Sequence, residues 1–123
     1  MHYLASPYTH SDPEVVLSRY DDTLLAVSTL ARLNIHVISP IILWHQAAIT
    51  HSLPTSHHFW QSFNESLLTR CSSLILLQLD GWQSSAGIAH ELNFAAAHQL
   101  PITHLTPSSL LLLSATEAHQ LFL

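Results

Sequence analysis

Residues 74–105 read LILLQLDGWQSSAGIAHELNFAAAHQLPITHL, and this stretch decides the fold. Leu74 to Leu79 is apolar at nearly every position, the pattern of a central strand covered on both faces rather than one with a wet side. Asp80-Gly81-Trp82 follows at its carboxyl end. Ser84 or Ser85 can then cap a helix running to about Gln99, with Ile88, Leu92, Ala95 and Ala96 facing inward. Pro101 to Leu105 supplies another strand. Strand, loop, helix, strand in 32 residues is a βαβ unit, and its crossover is expected to be right-handed.

The same unit is written once more at the start of the chain. His2 to Ala5 is a short apolar run halted by Ser6-Pro7. Ser11, Asp12, Pro13 and Glu14 then make a dense helix-start signal: either Ser11 caps with Glu14 three residues on, or Asp12 caps with Pro13 at the first helical position. Val16, Tyr20, Leu24, Val27 and Leu30 or Ala31 recur at helical spacing, and Asn34 suits the helix end. Ile35 to Ser39 is the second strand, ended by Pro40. Ile41 to His58 is expected to be a long loop with one helical turn, and Phe59 to Cys71 a helix carrying Phe59, Phe63 and Leu67 at i, i+4, i+8. Beyond Pro107, Leu110 to Leu113 fits an edge strand or a helix, and Ser114 with Glu117 hints at a last short helix. Alternating strands and helices predict a small doubly wound, flavodoxin/Rossmann-like open parallel sheet of four to five strands with helices on both faces. Residues 1–123 are read as one domain, with 105–123 as its tail.

Composition narrows the function. Of 123 residues 48% are apolar and only 9% are charged, and the net charge is −5 with no Lys and three Arg. A nucleic-acid binder needs a dense basic face, so that class is excluded. The one Cys, Cys71, excludes an internal disulfide framework and a Cys-based zinc cluster. The first ten residues lack the basic and apolar blocks of a secretory signal, and the longest aliphatic run, Leu110–Leu113, is far short of a membrane span, so the expected compartment is the cytoplasm with no membrane partner. The 11 His invite a metal reading, but His45/His51 and His57-His58 lack the helical i, i+4 pairing of a zinc hydrolase, so no metal or other cofactor is expected. With Gly81 and Gly87 as the only glycines, neither G-x-G-x-x-G nor G-x-S-x-G can occur, which removes dinucleotide enzymes and serine esterases of those types.

In open parallel sheets ligands bind beyond the carboxyl ends of the strands. Those ends deliver Ser6, Pro7 and Tyr8, then Ser39, Pro40, Trp44 and His45, and finally Asp80, Gly81, Trp82, Ser84, Ser85 and Gly87. The helix opening at Ser84–Gly87 offers free backbone N–H groups for an anion. Glu91 carries most weight. A helical side chain leans over the residue three or four positions back, and for Glu91 that residue is Gly87, which has no side chain. Its carboxylate is therefore expected to face an opening at the helix mouth, the alternative being a solvated surface Glu. Tyr8 could hydrogen-bond Glu91 across the pocket, or be an aromatic beside a proline loop. Asp80 could bind a sugar hydroxyl or donate a proton, or simply form an Asp-Gly turn. Trp82 could stack on a base or sit on the rim. Cys71 reads as an inert buried thiol.

YLASPYT at the start, ISP in the middle and LDGWQSSAGIAHELNFAAAHQLPI near the end resemble the nucleoside 2-deoxyribosyltransferase-like superfamily, and within it the DUF1937 group. The resemblance covers Tyr3 to Ile102, and its most specific string is D-G-W-x-x-S-x-G-x-x-x-E. It implies that Glu91 is the catalytic Glu, Tyr8 the aromatic of the first loop, and Ser85 and Gly87 the substrate-binding turn. It also implies a homodimer or higher homo-oligomer in which a neighbouring chain completes the pocket. Two positions depart from the pattern: Cys71-Ser72-Ser73 stands where an acidic residue is usual, and Asn64 where Asp is frequent.

What the resemblance implies is an N-glycosidic bond enzyme acting on a nucleoside or nucleoside 5′-monophosphate: a deoxyribosyltransferase or an N-glycohydrolase with a Glu nucleophile. Tyr8 would orient the nucleophile, Asp80 would bind sugar or base, and the Ser84–Gly87 turn would take the 5′ group, with Ser6, Pro7, His45 and Trp82 completing the substrate site. The alternative is a non-catalytic module that binds or senses a nucleotide derivative on the same fold. The apolar tail Leu121-Phe122-Leu123 is expected to sit in a buried interface between copies.

Overall fold

A computed structural model describes residues 1–122. Four strands, β1 (His2–Ala5), β2 (Val37–Ile38), β3 (Ser73–Leu77) and β4 (Ile102–Leu105), form one all-parallel sheet in the order β2-β1-β3-β4. Helices α1 (Pro13–Arg32), α2 (Pro40–His51), α3 (His57–Leu68), α4 (Ala86–Ala97), α5 (Pro107–Leu111) and α6 (Ala115–Phe122) surround it. The architecture is a doubly wound α/β fold. Tyr3 of β1 lies opposite Ile38 on one side and Leu74 on the other. The strand order reverses between β1 and β3, and a crevice opens there beyond their carboxyl ends.

Side chains alternate across each strand and so feed two core layers. Leu4, Ile75 and Leu77 pack with Ala26 and Leu30 of α1, Leu110 of α5, and Ala118 and Phe122 of α6. Tyr3, Ala5, Leu74 and Leu76 pack on the opposite face with Leu68 of α3 and Ile88 and Ala95 of α4. Every residue of β3 is buried, Ser73 together with the apolar run Leu74–Leu77 that follows it. A third cluster, Tyr8, Ile41, Trp44 and Ala48, closes the carboxyl end.

The helix starts follow their caps. Asp12 is the N-cap of α1, its side chain accepting from Glu14 N, with Pro13 at the first helical position. Asn34 takes a φ of 60° just past the end of α1, and Ile35 N closes back onto Leu30 O at 2.9 Å. Ser85 caps α4 by accepting from Ile88 N. In the tail, Thr106 and Ser109 form a capping box for α5, and Ser114 Oγ accepts from Glu117 N at the start of α6.

Several expectations are corrected. Ile41 to His51 is not loop but the body of α2, because Ser39-Pro40 repeats the cap-then-proline signal of Asp12-Pro13: Ser39 accepts from Ile42 N, and Ile41, Trp44, His45 and Ala48 are buried at helical spacing. The second strand is correspondingly short. The buried stripe of α1 is turned from the expected one, with Thr23, Ala26 and Leu30 inside and Leu24 exposed. In α3, Leu68 is the buried anchor, whereas Phe59 and Phe63 are exposed. Of the two readings of Leu110 to Leu113, the helix holds for Leu110 and Leu111, which close α5, and the edge strand does not. Phe122 is buried in the chain's own core, which leaves Leu121 as the exposed part of the described tail; Leu123 lies outside the described residues. No described helix is long and apolar enough to cross a membrane.

Candidate functional site

A cavity of about 310 Å³ lies at the crevice between β1 and β3. The loop after β1 contributes Ser6 and Tyr8, and α2 contributes Pro40, Ile41 and Trp44. Ser56, His57, Trp60 and Asn64 come from the start and inner face of α3, and Ser84, Ser85, Gly87 and Glu91 from the mouth and second turn of α4. The volume is at the small end of the range of roughly 300–1,000 Å³ for small-molecule sites.

Among the described residues Glu91 is the only carboxylate on this wall, and it is 8% exposed. The Tyr3 hydroxyl donates to Glu91 Oε2. Tyr3 is wholly buried in β1, and a buried phenol requires a partner for its O–H. Burial pushes the Glu91 carboxyl from 4.5 up to about 7, with the Tyr3 hydrogen bond pulling the other way. Tyr3 is in turn held well above the ordinary phenol value, chiefly by burial and next by the adjacent Glu91 charge, so it stays a donor. Gly87 supplies space rather than backbone freedom: a Cβ there would meet His57 Nδ1 and Ser85 Oγ at 3.8 Å, ordinary contacts, but a larger side chain would enter the cavity.

Two buried polar atoms on cavity-lining residues, Trp44 Nε1 and Asn64 Oδ1, have no hydrogen-bond partner among the described residues. One is a donor and one an acceptor, which leaves polar capacity for a ligand. Trp44 stacks on Trp60 with ring centroids 4.7 Å apart and planes 4° apart, building a rigid apolar wall beside them.

Ser6, Tyr8, Ser84, Ser85, Gly87 and Glu91 are thus brought together. Other residues picked out from the sequence are placed elsewhere. The Tyr8 hydroxyl is bonded to His45 Nδ1 at 2.6 Å, not to Glu91; Tyr3 takes that place from the strand. Burial lowers the His45 pKa, favouring the neutral ring that can accept from Tyr8. His45 stacks on Tyr20 at 3.9 Å and faces a second, more open cavity on the other side of Tyr8. Asp80 is exposed and lines a separate surface hollow with Asp12, Arg19 and Asp22. Gly81, at a φ of 86°, turns the chain there, and Arg19 donates to Asp80 O and Thr9 O, tying the two loops together outside the cavity. Trp82 packs against the core layer under α4 and edges His104. Pro7 is buried beneath the wall. Thr9, Ile41, Thr55, Ser56, His57, Trp60 and Ala86 also line the cavity without standing out in the sequence, and Tyr3, which is not a lining residue, holds Glu91 from the strand behind it. The need of a strand-buried Tyr for a hydroxyl partner is the one signal that could have found Tyr3.

Every residue of this cavity falls within residues 1–106, which match the family model described as Domain of unknown function (DUF1937). The chain belongs to the DUF1937 family. No curated protein matches it. The matched region ends at Thr106, so it takes in the whole sheet and every lining residue of the cavity, and α5 and α6 lie beyond it.

Proposed function

We propose that this DUF1937 domain cleaves the N-glycosidic bond of a nucleoside or nucleoside 5′-monophosphate, with Glu91 as nucleophile. The observation that carries the reading is a lone, buried carboxylate, held by Tyr3, facing a nucleoside-sized cavity at the switch point of the sheet. The similarity of the D-G-W-x-x-S-x-G-x-x-x-E string to the nucleoside 2-deoxyribosyltransferase-like superfamily supports it.

In the first half-reaction a Glu91 oxygen attacks the anomeric carbon, the C1′–N bond breaks, and its electron pair leaves with the base. The sugar is then held as a glycosyl ester. Tyr3 fixes the attacking carboxylate while leaving its second oxygen free, and the dry surroundings strengthen its attraction to an oxocarbenium-like centre. Trp44 and Trp60 provide an apolar wall for the base. The α4 mouth receives the 5′ group through the Ala86 and Gly87 backbone N–H groups, since those of Ser84 and Ser85 already donate to Gly81 O and Trp82 O; such donors are the more needed in a protein without Lys.

Incubation with a panel of deoxynucleosides, ribonucleosides and their 5′-monophosphates, read by chromatography for free base, tests this. Release of base that Glu91→Ala abolishes is the expected result; release unchanged in Glu91→Ala removes the nucleophile. The placement of Asp80 outside the cavity, with no second carboxylate inside, favours one alternative: a module that binds a nucleotide derivative without turnover. Tight binding of one panel member with no base released from any would establish that alternative.

A further inference from the structure

The wall opposite Gly87 holds a titratable group that the nucleophilic step does not use. His57, the first residue of α3, is half-buried and makes no side-chain hydrogen bond within the described residues. Its Nδ1 lies 3.8 Å from the point where a Gly87 Cβ would stand, the same gap that Glu91 faces. Its ring centroid is 5.3 Å from that of His90 on α4. His90 Nε2 is 2.6 Å from Glu65 Oε1 on α3. His57, Asn64, Glu65, His90 and Glu91 together border a gap of about 10 Å³ between α3 and α4, the size of one water.

We propose that His57 is the general base of a hydrolytic second half-reaction, with His90 and Glu65 as positioning residues, so that water is the preferred acceptor of the sugar. The inference rests on the Glu91 reading above. A water on the cavity side of the glycosyl ester gives a proton to a ring nitrogen of His57. Its oxygen bonds to C1′, the C1′–O bond to Glu91 breaks, and the electron pair returns to the carboxylate. The imidazolium then passes its proton to the expelled base, so the sum is nucleoside plus water to sugar plus base. A base for this step must be neutral at working pH. His57 meets that need: burial first, then the neighbouring His90 and His58, lower its pKa, and only Glu65 opposes them. The groups facing it are His58 and Glu65 on its own helix and His90 and Glu91 on α4.

Rapid-quench base release by wild type, His57→Asn and His90→Gln tests this. His57→Asn is expected to keep a burst of about one base per enzyme and to lose about 100-fold or more in steady-state turnover, the usual size of a general-base contribution, with partial rescue by added imidazole. In kcat, where Glu91 is esterified and does not titrate, the ascending limb reports His57. His90→Gln removes a repelling neighbour and frees the Glu65 charge, so that limb is expected to move to higher pH. Unchanged turnover in His57→Asn, or loss of the burst together with turnover, overturns the proposal while leaving Glu91 in place. Absence of base release from wild type overturns the underlying reading, and this proposal with it. Circular dichroism checks folding, with His57→Gln as the second variant; failure of both to fold also contradicts the proposal, since this side chain carries no hydrogen bond for the fold.

Discussion

Glu91 is held in the cavity wall by its own burial and by the Tyr3 hydroxyl. Its place was legible because one glycine, Gly87, stands one helical turn before it, and a helical side chain leans in that direction. Its partner was not legible in the same way. Tyr3 is the second residue of the first strand, whose alternation sends it toward α4, whereas Tyr8 stands three residues past the strand's end and turns to His45. Asp80 stood out because the chain has only eight carboxylates, but the left-handed Gly81 and the Arg19 contacts hold its loop outside the cavity. A measurable consequence attaches to the raised Glu91 pKa. The folded value of about 7 exceeds the ordinary 4.5, so the protonated form favours the fold. That stability is complete below about pH 4.5 and lost as pH rises through about 7, a change of roughly 3 kcal/mol. Glu91→Gln carries no titrating proton, so its melting temperature is expected to gain on wild type steadily as pH rises across this window. A gap between the two proteins that does not widen with pH would contradict the burial of the carboxylate.

At the scale of elements, what could be read was what local chemistry alone decides. The caps at Asp12 and Ser85 and the apolar run of β3 placed α1, α4 and the central strand. The region after β2 was less legible. Two histidines, a tryptophan and several polar residues obscure the helical period of α2, and His45 and Trp44 are buried only because Tyr8, Tyr20 and Trp60 come from other parts of the chain to cover them. Burial of a polar ring by distant partners is a tertiary fact that no window of sequence carries. The Ser39-Pro40 start is nonetheless a genuine cap, with Ile42 N 3.3 Å from Ser39 Oγ. Ser39→Ala is expected to lower stability by about 1 kcal/mol and the melting temperature by about 4 °C, read by thermal denaturation. Because α2 forms one wall of the cavity, ligand binding should weaken alongside it. An unchanged melting temperature would show that α2 is held by its aromatic packing alone.

For the whole molecule, scarcity of charge and the order of the strands have a joint consequence. The sequence β2-β1-β3-β4 opens a crevice beyond β1 and β3, and the low charge leaves one carboxylate inside it, raised in pKa by the same burial that would sharpen its reactivity. The sheet and its crevice were readable from two βαβ units, while the cavity's tryptophan wall and its unpaired Trp44 and Asn64 atoms depend on α2 and α3 meeting, which they did not reveal in advance. The central claim is that Glu91 becomes covalently bonded to a sugar during turnover. The most direct test is intact-protein mass spectrometry on samples acid-quenched during reaction with the nucleotide panel, followed by peptide mapping. An added pentose or pentose-phosphate mass is expected on the peptide containing Glu91 and is expected to be absent from Glu91→Gln. Base release with no adduct in wild type or His57→Asn, or an adduct on a residue other than Glu91, would contradict it.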